Sequence, residues 1–186
     1  AKIEARKITD EYEMTGSLPE ETPFFASEDI SLFTGDDYAR ELLAAAEEET
    51  AAAIIDAHLS GIGDGDYFGL LGYVEMNAEN EQILQTIRTS VLERFECATC
   101  LGFGPRFLHS TGQAYKGGGN NGVFLQITSD DQTDMQVPGQ KYTFGVVKAA
   151  QSRGDFQVLI DRGRRALRVH LGKDVADGLR ELSVMI

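Results

Sequence analysis

Four short apolar runs, at positions 67–74, 97–103, 123–128 and 166–171, limit the fold more than any other feature of the chain. Each is strand-length and continuous rather than alternating, the pattern of a strand buried on both faces. The stretches between and after them, 78–95, 107–116, 144–151, 155–162 and 174–184, read as helices. Buried strands that alternate with helices predict a mostly parallel sheet covered on both sides, an α/β three-layer sandwich. In such sheets ligands sit at the carboxyl ends of strands, beside helix N-termini. The segment that follows the run at 97–103 is therefore where chemistry is expected.

Upstream of the first run the pattern is different. Residues 1–29 read as a connector, with a charged helix over 2–14 that Gly16, Pro19 and Pro23 bring to an end. Gly35-Asp36-Asp37 offers an N-terminal cap for one long alanine-rich helix reaching about position 60, with Leu42, Leu43, Ala46, Ala53, Ile54 and Ala57 at helical spacing. The glycine- and aspartate-rich stretch from Gly61 to Asp66 lacks the closing glutamate of a calcium loop and reads as a helix-to-strand connection. At 186 residues the chain suits one full-sized domain, placed at 30–186. An opening Ala1-Lys2-Ile3-Glu4 with no initiator methionine is what a piece of a longer polypeptide would present.

Charge narrows the partners. Thirty acidic residues against seventeen basic ones leave a net charge of −13. So acidic a surface repels nucleic acid and anionic lipid, and an anionic ligand needs a local basic pocket. No apolar run approaches the roughly 20 residues that span a bilayer. No basic-then-apolar leader opens the chain, so the expected location is cytoplasmic. Cys97 and Cys100 lie three apart on an expected strand and would point to opposite faces, as reduced structural thiols rather than a redox pair. His58, His109 and His170 have no metal-ligand spacing among them, so no metal is expected. His58 and His170 read as structural or surface positions.

The stretch from Phe103 to Gln113 carries the chemistry. His109 follows a strand, opens a helix and is flanked by the hydroxyls of Ser110 and Thr111, a setting in which imidazole can exchange protons near neutral pH. A helix-capping histidine is the plainer alternative. Gln113 is four residues on and Lys116 seven on, so a helix brings both to the face of His109. The run Lys116-Gly117-Gly118-Gly119 resembles an anion-cradling loop but lacks the Gly-Lys-Ser/Thr ending of a phosphate loop, and reads as a turn into the next strand.

His109-Ser110-Thr111-Gly112-Gln113 resembles the His-Ser-x-x-Gln segment of glucose-6-phosphate isomerases. Lys141-Tyr142-Thr143-Phe144-Gly145 resembles the Tyr-Thr-Phe-Gly that enters the next helix in short bacterial members. Gly154-Asp155-Phe156-Gln157 stands where the family has Phe-Asp-Gln, and Arg164 where it has a lysine. The wording from Gly104 to Gln113, followed by Lys-Gly-Gly, is most similar to the isomerase part of bifunctional transaldolase/glucose-6-phosphate isomerase proteins.

The resemblance implies a sugar-isomerase (SIS) fold, of which this chain is the second of two subdomains. It also implies aldose–ketose isomerisation of glucose 6-phosphate and fructose 6-phosphate, with no cofactor. The partners it implies are the hexose phosphate, a first SIS subdomain and a transaldolase domain of the same chain, and a second copy in a homodimer. His109 would assist ring opening, with Ser110, Gln113, Lys116 and Gln157 binding substrate. Arg164 in place of lysine can stabilise an oxyanion but hardly donates a proton. The base that moves a proton between C2 and C1 is expected at Glu96, at Glu93 or outside the chain. A non-catalytic sugar-phosphate-binding domain and an assembly module of a fused transaldolase are the alternatives.

Overall fold

A computed structural model describes all residues, 1–186. Its centre is one six-stranded sheet. In chain order the strands are β1 (Phe25–Ala26), β2 (Ile30–Phe33), β3 (Tyr67–Tyr73), β4 (Ala98–Phe103), β5 (Gly122–Ser129) and β6 (Arg165–Leu171). In space the order is β1-β2-β6-β5-β3-β4. The four strands expected from the apolar runs are parallel to one another, and β2 adds to β6 in the antiparallel sense. The helices are α1 (Lys2–Thr15), α2 (Asp36–Ala45), α3 (Ala51–Ser60), α4 (Ala78–Phe95), α5 (Thr111–Gly117), α6 (Phe144–Asp161) and α7 (Val175–Met185).

The period-two alternation of strand side chains divides the core into two layers. Phe68 and Leu70 of β3, Leu125 and Ile127 of β5, and Leu167, Val169 and Leu171 of β6 face α3, α4 and α7, meeting Ile54, Ile55, Leu84, Ile87, Leu179 and Leu182. Leu71, Tyr73, Phe124 and Ala166 face the other way and meet Phe107, Leu108, Tyr115, Phe156 and Leu159 around α5 and α6. Each fully buried leucine, isoleucine or phenylalanine contributes about 1.5–3 kcal/mol. The sequence therefore makes helices on both faces of a mostly parallel sheet, as expected.

Polar caps fix where the helices begin. Asn77 accepts the Asn80 amide at 2.9 Å to start α4, Thr50 accepts that of Ala53 at 3.2 Å to start α3, and Thr143 accepts that of Val146 at 3.3 Å to start α6. Two departures from expectation concern where helices break. The single helix expected up to position 60 is broken into α2 and α3: α2 ends at Ala45, ahead of Glu47-Glu48-Glu49, and Thr50 caps a new helix. Conversely, the two helices expected at 144–151 and 155–162 are one helix running through Gly154. The connector expected over 1–29 contributes α1 and the edge strand β1.

Both cysteines are free, Cys97 packed in the α3/α4/α7 layer and Cys100 against the α5/α6 layer. Burial pushes the Cys97 thiol up, the direction of an inert thiol. No helix is long and apolar enough to cross a membrane.

Candidate functional site

After β4 the chain turns through a cis peptide bond between Gly104 and Pro105 into a 3₁₀ turn over Arg106–His109. Buried Phe107 and Leu108 anchor this turn, and His109 ends it on the surface. Ser110 has non-helical angles (φ −132°, ψ −112°), so the helix expected over 107–116 is a 3₁₀ turn followed by the short α5. His109, Gln113 and Lys116 nonetheless line one groove of about 640 Å³, together with Gln151, Val158 and Arg162 of the α6 side, Ala1, and Lys2 and Ala5 of α1. The spacing read from the sequence thus brings three of the expected site residues together.

Two of the three are already engaged. The Gln113 amide nitrogen donates to the Leu108 carbonyl, locking the turn that presents His109. Lys116 is buried, its Nζ 2.5 Å from Oδ1 of the fully buried Asp155. The Tyr73 hydroxyl donates to the other Asp155 oxygen at 3.4 Å. Burial pushes the Asp155 carboxyl up, while the Lys116 ammonium and the Tyr73 hydroxyl oppose that shift. His109 presents an exposed imidazole after β4, on the rim of this groove.

The remaining expected residues lie elsewhere. Glu96 is exposed, in the left-handed conformation (φ 50°) that ends α4, and it precedes β4. His109 follows β4, so the six-residue strand holds the two apart by about 20 Å. Glu93, in the last turn of α4, shares the Glu96 end. Arg164 also precedes its strand: its guanidinium donates to the carbonyls of Lys116 at 2.8 Å and Gly118 at 2.7 Å, capping the C-terminus of α5. Gln157 is exposed and donates to Asp161 one turn along α6, at 2.7 Å. Ser110 is exposed beside His109 and outside that groove. The triad of His109, Arg164 and Glu96 expected from the resemblance is therefore not assembled within this chain. The reason is topological: a residue before a parallel strand and one after it lie at opposite edges of the sheet.

A second cavity, of about 250 Å³, lies at the carboxyl ends of β3, β5 and β6. It stands at the point where the chain, having placed β4 on one side of β3, places β5 on the other, the usual ligand crevice of open α/β sheets. Facing α6, β5 runs Phe124, Gln126, Thr128 and β6 runs Ala166, Arg168, His170, apolar at the start and polar toward the carboxyl end. Thr128 Oγ1 lies 2.9 Å from His170 Nδ1, and His170 Nε2 lies 3.4 Å from Asp130. Burial holds the His170 pKa down, with Asp130 opposing. Sequence reasoning missed this cavity. The available signal was the shift from apolar to polar at alternate positions of two strands, which reads as a site only once they are known to be neighbours.

No family model and no curated protein matches the sequence. Among solved structures, the fold is similar to that of hypothetical protein TT0462 from Thermus thermophilus, with a TM-score of 0.60 and 16% identity over 80% of this chain. The likeness is one of fold alone. The chain spans 41% of the length of that protein.

Proposed function

We propose that this chain is an SIS-type subdomain forming the C-terminal half of a cytoplasmic glucose-6-phosphate isomerase, and that it contributes His109 to opening of the sugar ring. The observation that carries this reading is the shared groove of His109, Gln113 and Lys116, residues of one recognisable motif. Ring opening takes a proton from the C1 hydroxyl and returns one to the ring oxygen, work suited to an exposed imidazole. Isomerisation through an enediolate then needs a base, and neither Glu96 nor Glu93 shares the His109 edge. The base belongs to another part of the full protein or to a second copy. The likeness to a protein of more than twice this length suits such a division.

One observation favours a second reading, a sugar-phosphate-binding domain without turnover: His109 lines its groove with neither Glu96 nor Arg164 beside it. A coupled assay separates the two. The isomerase reading expects interconversion of glucose 6-phosphate and fructose 6-phosphate by the full-length protein and almost none by the chain alone. Binding of either sugar phosphate by the full-length protein with no turnover selects the second reading.

A further inference from the structure

Arg168 is a buried cation held from outside the sheet. Its side chain is 4% exposed, and its guanidinium carbon lies 4.2 Å from the ring centre of Phe33 and 5.3 Å from that of Phe156. Its Nη2 donates to Glu21 Oε2 at 2.9 Å, and the same oxygen accepts from Arg153 Nε at 2.7 Å. Buried Nε of Arg168 has no partner. Glu21 belongs to no helix or strand; it lies in the segment between α1 and β1. The other acids of this cavity have partners of their own. Asp131 pairs with Lys148, Asp130 faces His170, and Asp134 accepts the amides of Met135 and Gly145. Glu21 is thus a single carboxylate, carried on a connecting segment, set between two guanidinium groups at the carboxyl ends of β5 and β6.

We propose that Arg153 and Arg168 form an oxyanion-binding site, for the phosphate or carboxylate of a small ligand, and that Glu21 fills it from within the chain. Two convergent guanidiniums match the oxygens of either group. A buried arginine strongly requires an anion beside it, because an unpaired charge at this depth is costly. Glu21 meets that requirement through a side chain that solvent reaches, so an external oxyanion can take its place. The hydroxyls of Thr128 and Ser129 line the same cavity and can hold the rest of the ligand. This site stands apart from the His109 groove and does not depend on the isomerase reading.

The test follows thermal unfolding of the wild type, Glu21→Gln and Glu21→Ala as inorganic phosphate or acetate replaces chloride at constant ionic strength. An internal competitor lowers apparent affinity by the fraction of time it leaves the site free, so its removal should tighten anion binding about tenfold or more. Both variants should be less stable than wild type in chloride and recover saturably with the anion. Phosphate acting alone assigns a phosphate ligand, and acetate acting as well assigns a site open to carboxylates. Adding Arg153→Ala to either variant should abolish the recovery. The proposal is overturned if neither anion acts beyond chloride, if wild type and variants respond alike, or if the response survives loss of Arg153. Should Glu21→Ala not fold, Glu21→Gln, which keeps the shape of the side chain, carries the comparison.

Discussion

His58 is wholly buried, between the Tyr38 hydroxyl 2.9 Å from Nδ1 and the Phe124 carbonyl 3.1 Å from Nε2. A carbonyl only accepts, so Nε2 carries the proton and Nδ1 accepts from the tyrosine. Burial lowers its pKa from 6.5 to about 3, with the Phe124 carbonyl opposing. Between those values the unfolded chain binds a proton that the folded chain refuses, so His58 favours folding above pH 6.5 and this advantage is lost as pH falls. Stability measured by urea unfolding should drop by about 1 kcal/mol per pH unit below 6.5 on this account, and His58→Gln should remove that part of the slope. Lys116 is the opposite case, a residue the sequence places on the face of His109 beside three glycines and the fold buries against Asp155. Lys116→Met alone should cost roughly 3–5 kcal/mol in urea unfolding, because it strands a buried carboxylate. Lys116→Met with Asp155→Leu should recover most of that loss. A double-variant cost equal to the sum of the costs of Lys116→Met and Asp155→Leu alone would mean that the pair is not coupled. Neither burial is legible in sequence, since each rests on a partner from a distant element.

At the scale of elements, legibility followed length and pattern. The four parallel strands and the helices α4 and α7 stand close to where apolar runs and polar caps place them. The strands β1 and β2, of two and four residues, are too short to carry a pattern, and their pairing, β1 to β2 and β2 to β6, arises only in the folded sheet. Gly154 misleads for a related reason. In sequence it reads as a helix break, whereas in the fold a side chain there would place Cβ 2.7 Å from the Ala5 nitrogen and 3.0 Å from the Ala1 carbonyl oxygen. The glycine lets the backbones of α1 and α6 approach. Gly154→Ala should therefore strengthen α6 by about 0.5–1 kcal/mol of helix propensity while displacing α1. Hydrogen exchange should record lost protection across α1 and none across β5. Unchanged protection in α1 would show that the close approach can relax without cost.

For the whole molecule the decisive quantity is strand order, which no local pattern encodes. The sequence points to the carboxyl ends of the strands but cannot tell that β4 is an edge strand and that the crossover point lies between β3 and β5. Sequence reasoning therefore finds His109 and its groove and misses the Arg168 cavity. It also joins Glu96 and Arg164 to His109, although all three flank strands whose length separates them. A histidine at a sheet edge is open on one side, and under the proposed isomerase function a neighbouring subunit or domain closes it and brings the base. The most direct test is the turnover of glucose 6-phosphate by the full-length protein carrying His109→Ala, shown by thermal unfolding to be folded. General acid–base catalysis supplies about 100- to 10,000-fold, so the substitution should raise the barrier by roughly 3–5 kcal/mol. The loss should be smaller for an analogue already in open-chain form. A loss below about threefold on the ring-closed sugar, under roughly 1 kcal/mol, would make His109 a structural residue and contradict the account.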